Sequence, residues 1–189
     1  MRGVLLDSAI IPGGAATVRL NLVPALARYC SRLTWAWPFS GDRALHGLAA
    51  TVPNLRFEPL VWPAHHPARW ADAALRRLPA AFSAGFVVRR RQRSAARLVK
   101  RLTRELDAQF LLTTCIFGQA APETDCPVFG ILCDVNPSLP DDVFSSMDEW
   151  VRVSDRIFAI SEFTRAQAAA RWPAAAAKFV ALPLAPDSE

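Results

Sequence analysis

Short apolar runs alternate along the chain with longer amphipathic stretches. Runs at 3–6, 33–37, 56–61, 110–114, 128–132, 156–160 and 178–182 are too short for helices, and β-branched and aromatic residues recur in them. They predict strands, buried on both faces as in a parallel sheet. Between them, helical spacing predicts helices from after the loop Ile10 to Gly14 to about residue 29 and at about 42–50, 68–78, 82–105, 141–153 and 162–171. In the first helix Val18, Leu22, Ala25, Leu26 and Tyr29 share a face. Pro24 should kink that helix, unless its regular part starts at Asn21 as N-cap. The opening third reads β-α-β-α-β, which calls for parallel strands joined by right-handed crossovers. The fold class expected is α/β, a Rossmann-like doubly wound parallel sheet of about seven strands with helices on both faces.

The pattern becomes chemically informative where apolar runs stop. The run 128–132 ends in Cys133, Asp134 and Asn136, and the run 156–160 ends in Ser161 and Thr164. These residues fall at the carboxyl ends of strands, where an open α/β sheet binds ligands. Asp134 can orient a hydroxyl or act as a general base, and it can equally be a turn residue. Ser161 can bind an anion or a sugar hydroxyl, or simply cap the helix that follows. Gly13 and Gly14, between the first strand and its helix, would let backbone N–H groups approach a phosphate. The same pair is also an ordinary tight turn, and neither a G-x-G-x-x-G nor a Walker lysine accompanies it.

Composition adds two restrictions. Of 189 residues, 52% are hydrophobic and 21% charged, which fits one globular domain with a sizeable core and rules out a disordered chain. The formal charge of +5 favours acidic partners, although an Arg- and Ala-rich composition produces it without any. Much of the charge is concentrated. Arg90, Arg93, Arg97, Lys100, Arg101 and Arg104 share one face of the 82–105 helix, and Val88, Ala95, Leu98, Val99 and Leu102 share the other. With the apolar stretch 82–88 upstream, that stripe suits an anionic membrane surface; it is also what a solvated crossover helix looks like. Aromatic residues are not interleaved with the basic ones, so nucleic acid is not expected as a partner. The four cysteines, Cys30, Cys115, Cys126 and Cys133, lack metal-binding spacing and read as reduced, buried thiols, so no metal site is expected. Asp7 interrupts the start before a leader's apolar region forms, and no apolar run approaches the roughly 18 residues of a membrane span.

Four segments together resemble the N-terminal domain of GT-B-fold glycosyltransferases, most closely the retaining family four. They are the opening Val4-Leu5-Leu6-Asp7 with Gly13-Gly14, the segment from Gly130 to Pro137, the segment from Ser154 to Arg165, and the closing stretch from Phe179 to Asp187. The segment reading Ser154-Asp155-Arg156-Ile157-Phe158-Ala159-Ile160-Ser161 is the most specific. Cys133 stands where the family has His before Asp. The resemblance covers essentially the whole chain and implies that 1–189 is the acceptor-binding domain. The donor-binding domain would lie outside it. It implies a transferase that moves a sugar from a nucleotide-sugar to a glycan or lipid-linked acceptor, with no cofactor beyond that co-substrate. Gly13 and Gly14 would face the donor phosphates. Asp134 would be the catalytic residue on the acceptor side, beside Cys133, Asn136 and Ser161. The cationic helix would face a membrane, and the location implied is the cytoplasm or the inner membrane face. The rival expectation is a non-catalytic Rossmann-like module that docks on anionic membrane or a partner subunit.

Overall fold

The computed structural model describes residues 1–6, 14–37, 51–59, 80–116, 120–136, 138 and 141–182, with backbone only at 14–20, 37, 59, 80–92 and 142. The described elements are β1 (Arg2–Leu6), α1 (Gly14–Ala27), β2 (Arg32–Trp37), β3 (Leu55–Pro59), α2 (Ala80–Glu105), β4 (Phe110–Thr113), β5 (Val128–Leu132), α3 (Asp141–Val153), β6 (Arg156–Ala159), α4 (Glu162–Arg171), a short 3-10 helix (Pro173–Lys178) and β7 (Phe179–Ala181). The expected helices at 42–50 and 68–78 lie outside the described residues.

Seven strands form one sheet in the order β3-β2-β1-β4-β5-β6-β7, every neighbouring pair parallel. The doubly wound Rossmann-like class expected from the alternation is therefore what forms. Alternate residues face opposite sides of each strand, and two apolar layers result. Leu5, Leu33, Trp35, Leu112 and Ile131 pack with Val23 and Ala27 of α1 on one side. Val4, Leu6, Leu111, Val128, Leu132 and Ile157 pack on the other with Val99 and Leu102 of α2, Met147 and Trp150 of α3, and Ala168 of α4. Right-handed crossovers explain the split: α1 leads from β1 toward one edge, whereas α2, α3 and α4 lead toward the other.

Three local expectations need correction. Helix α1 runs unbroken from Gly14 through Pro24 to Ala27, so Asn21 is not its N-cap. Among its described side chains Val23 and Ala27 are buried; Ala25 is exposed, and Tyr29, expected on the packed face, is 74% exposed. Apart from Thr17, Arg19 and Asn21 the helix is apolar on every side, so spacing alone does not select a face. Strand β3 starts at Leu55 and is described to Pro59, and β7 is only three residues long because Pro173–Lys178 winds into the 3-10 helix.

Helix α2 has 26 residues, about 39 Å at 1.5 Å per residue. Its last turns cover the sheet through Leu98, Val99 and Leu102, all buried as the spacing predicts. The strand it feeds has four residues, and the helix runs antiparallel to it.

Candidate functional site

Connections leave β1 toward β2 and leave β4 toward β5, so the order of the strands reverses between β1 and β4. In an open parallel sheet the crevice outside the strand ends at such a reversal is where a ligand fits. Gly14 is the first residue of α1, whose N-terminus therefore lies at this carboxyl edge. Gly13 lies outside the described residues.

The floor of the crevice is built by the end of β4. Thr113 and Thr114 are buried, and Thr114 N–H donates to the Leu6 carbonyl across the reversal at 3.0 Å. The ladder between β4 and β5 runs in register from Leu111 opposite Val128 to Thr113 opposite Gly130. Beyond that it slips. Ile116 N–H, rather than that of Cys115, donates to the Ile131 carbonyl at 3.3 Å. One extra residue is thus accommodated at Thr114–Cys115, which is a bulge. The Thr113 hydroxyl donates to the Cys115 carbonyl at 2.9 Å and holds the bulge in place. Bulges are over-represented next to active sites because they re-aim a side chain. Here the slip sets Cys115 level with Ile131 instead of Leu132, and a thiol hydrogen bond links it to Cys133. This contact holds the half-buried Cys133 thiol below its ordinary pKa, against the opposing effects of burial and of the Asp134 charge.

The residues singled out by the sequence distribute along the same edge. Cys133, Asp134 and Asn136 follow β5, and Ser161 follows β6. Asp134 is exposed, with no hydrogen-bond or ion-pair partner among the described residues. Asn136 is exposed too, but its Oδ1 accepts from the Ser138 amide at 3.0 Å and the Ser138 hydroxyl at 2.7 Å, which closes a turn. Ser161 caps α4: its hydroxyl accepts from Thr164 N–H at 3.0 Å and lies 2.9 Å from the Thr164 hydroxyl. Neighbouring strands are about 4.8 Å apart, so Cys133 and Asp134 are one strand from β4 and Ser161 is two. The structure brings Gly14, Cys133 and Asp134 to the flanks of the reversal and leaves Ser161 at its margin. Sequence reasoning missed Thr113, Thr114 and Cys115. Their signal was present, since the apolar run Phe110-Leu111-Leu112 also stops in polar residues.

The cationic stripe is real along the described part of α2. Arg93, Arg97, Arg101 and Arg104 are exposed and Lys100 is half-buried; the Arg90 side chain lies outside the described residues. Arg101 pairs with Glu105 at 2.6 Å and Arg104 with Asp125 at 2.8 Å, so the end of the stripe is partly neutralised. No helix among the described residues is long and apolar enough to cross a membrane.

A concavity of about 440 Å³, lined by Glu123, Asp125, Pro127 and Asp155 among others, sits at the opposite, amino edge of the sheet. Its acids are all engaged: Asp125 with Arg104, Glu123 with Arg152, and Asp155 with the Val128 amide. It is a joint between elements, and the crevice at the carboxyl edge remains the better candidate site.

Two solved structures overlay this arrangement. A glycosyltransferase from Rickettsia africae aligns over 96% of the chain with TM-score 0.54 and 11% identity, and a UDP-GlcNAc 2-epimerase from Methanocaldococcus jannaschii over 95% with TM-score 0.56 and 8% identity. The fold is GT-B-like. The chain spans 42% and 44% of the lengths of those two proteins, under half of a GT-B-like whole. No family model matches it, and no curated protein matches it by sequence. At such identities the GT-B-like likeness concerns architecture, and the reaction has to be argued from the crevice.

Proposed function

We propose that this chain is the acceptor-binding half of a glycosyltransferase of the retaining family-four type. The observation that carries the reading is the overlay of nearly the whole chain on under half of a glycosyltransferase, with its polar strand ends collected at the reversal. A nucleotide-sugar presents a diphosphate. The N-terminus of α1 at Gly13 and Gly14 offers backbone N–H groups and partial positive charge to it. The acceptor hydroxyl attacks the anomeric carbon, the bond to the nucleoside diphosphate breaks, and the hydroxyl gives up its proton. Asp134, exposed and free of local partners, is the group that orients that hydroxyl and takes the proton. Cys133, Asn136 and Ser161 line the acceptor side, the first through its thiol and the others through groups that also serve a turn and a cap. The donor half is supplied by a further domain or a partner subunit, and the co-substrate is the only cofactor the reaction needs.

The exposed arginines of α2 favour a membrane-surface location at the cytoplasmic face, where an anionic headgroup layer would sit beside a lipid-linked acceptor. The alternative, a non-catalytic module docking on anionic membrane, shares that surface and differs at the crevice.

The test is acceptor-dependent release of nucleoside diphosphate from a panel of nucleotide-sugars by the complete polypeptide, with and without Asp134→Ala. Turnover that falls about 100-fold in the variant supports the assignment. Unchanged turnover removes Asp134 from the chemistry. Absence of release with every donor, while Arg93→Glu with Arg97→Glu abolishes pelleting with anionic vesicles, leaves the docking module as the correct reading.

A further inference from the structure

We propose that Thr113, Ile116 and Gly130 are positioning residues for the acceptor: they lock the bulge at the end of β4 and so set the crevice floor on the side of Asp134. The inference rests on the transferase reading above and deepens it.

The lock has one part on each strand. On β4 the fully buried Thr113 side chain turns back on its own chain. Its hydroxyl donates to the Cys115 carbonyl at 2.9 Å and accepts from the Cys115 amide at 3.4 Å. One side chain thus holds both backbone groups of the residue that the slip takes out of the ladder. Buried backbone groups that lose a strand partner need such a substitute. On β5 the lock is a missing side chain. Gly130 stands opposite Thr113, in the strand that sends Val128 and Leu132 into the core. A Cβ there would come 2.6 Å from Ile116 Cγ2 and 3.7 Å from Thr113 Cγ2. Ile116 is fully buried, and its Cγ2 is a branch at Cβ, stiff about χ1, so it has little freedom to swing aside. The bare backbone of Gly130 admits Ile116, and the Ile116 amide on the Ile131 carbonyl fixes the slip.

The slip acts on one side of β4. Toward β1 the ladder keeps its register to the end, with Leu6 opposite Thr113 and the Thr114 amide on the Leu6 carbonyl. That side leads to α1, where the donor phosphates would sit. Toward β5 the extra residue sets Cys115 level with Ile131 instead of Leu132, one position farther from Asp134. The lock therefore adjusts the acceptor side and leaves the donor side in register. One position along a strand is about 3.3 Å. A misplacement of about 1 Å is enough to cost about 100-fold in a reaction that depends on positioning. Thr113 and Gly130 exert this effect through the backbone, without touching a substrate.

The experiment follows acceptor-dependent release of nucleoside diphosphate by the complete polypeptide. Acceptor is varied at saturating donor and donor at saturating acceptor, with the folded fraction measured in parallel. Thr113→Val keeps the shape and removes the hydroxyl, Thr113→Ser keeps the hydroxyl, and Gly130→Ala displaces Ile116. Expected in Thr113→Val and Gly130→Ala is a fall of at least about tenfold in kcat/KM for the acceptor, with the donor KM within about twofold of the unaltered value. Thr113→Ser should stay within about threefold of the unaltered polypeptide in both. Three results would each overturn the lock: unchanged acceptor kinetics in Thr113→Val and Gly130→Ala, Thr113→Ser as impaired as Thr113→Val, or losses that vanish once rates are divided by the folded fraction. If one variant does not fold, the other reads the same lock from the opposite strand. Absence of release by the unaltered polypeptide with every donor overturns the transferase reading and the acceptor role with it. Release that the variants leave unmoved overturns the lock alone.

Discussion

The two edges of the sheet are built by different rules. At the amino edge almost every polar group is spoken for. Arg2 exchanges backbone and side-chain bonds with Gln109 and Asp107, Ser31 donates to the Met1 carbonyl through both amide and hydroxyl, and Asn54 donates to the carbonyls of Ala27 and Cys30. Asp155 accepts from the Val128 amide at 2.8 Å while its own amide donates to the Val128 carbonyl at 2.8 Å. At the carboxyl edge the backbone is bonded across the strands, but Asp134 is left to solvent and Cys133 is met by another thiol. The difference teaches where to look for function. A side chain that closes a strand end contributes stability, and one held at a strand end without a structural partner is available for a ligand.

The sharpest way to break this contrast is a matched pair of carboxylate deletions. Asp134→Ala should cost about 100-fold in acceptor-dependent turnover of the complete enzyme and less than about 0.5 kcal/mol in chemical unfolding. A drop in stability with turnover intact would reverse the assignment. At the amino edge, Gly3→Ala should show only a structural effect. A Cβ at Gly3 would stand 2.1 Å from the Phe110 ring, which lies across the strand. The half-buried ring must move, at a cost of about 2 kcal/mol. A urea midpoint equal to that of the unaltered chain would mean that the ring has free space to swing into. Asp155→Ala comes next. It strips the Val128 amide of its partner beside a buried residue, for about 1.5 kcal/mol. Asp155→Asn keeps an acceptor oxygen and should recover most of that, so equal losses in the two variants would deny the hydrogen bond its role.

The Asp155 case also shows how legible the chain was. The segment Ser154 to Arg165 carried the resemblance most specifically, and much of it turns out to be architecture. Asp155 ties β6 to β5, Ile157 and Ala159 fill the core, Ser161 caps α4 and Thr164 is buried behind it. Strands were readable because a doubly buried parallel strand is an unbroken apolar run with a polar stop. The packed face of α2 was readable because Leu98, Val99 and Leu102 stand against arginines. That of α1 was not, because an almost uniformly apolar helix has no preferred side until the sheet selects one. At the site, the polar stops after β5 and β6 were visible. The centre of the crevice was not, since a reversal in strand order is a property of topology and a bulge is a property of register. Neither exists in the sequence until β4 is placed beside β1.

The smallest expected effect lies at the end of α2, where Asp107 has φ 46°. Left-handed backbone is the usual way to end a helix, and Gly is the residue that adopts it without strain. Leu106, Asp107 and Ala108 donate back to Leu102, Arg104 and Thr103, so this turn satisfies the last carbonyls whatever the side chain. Asp107→Gly removes the strain of a side chain in that region, about 1 kcal/mol. It also removes the ion pair with Arg2, in which the Asp107 side chain is 86% exposed. Such a pair is worth about 0.5 kcal/mol and is screened by salt. The two changes nearly cancel, leaving a gain of about 0.5 kcal/mol that should grow in high salt as the lost pair ceases to matter. Asp107→Gly in an Arg2→Gln background isolates the backbone effect, because no pair remains to lose. If that double variant gained no more over Arg2→Gln than the single variant gains over the unaltered chain, the pair would contribute nothing. The clamp at this corner would then rest on the bonds of the Arg2 amide and carbonyl with Gln109 and on Arg2 Nε donating to the Asp107 carbonyl.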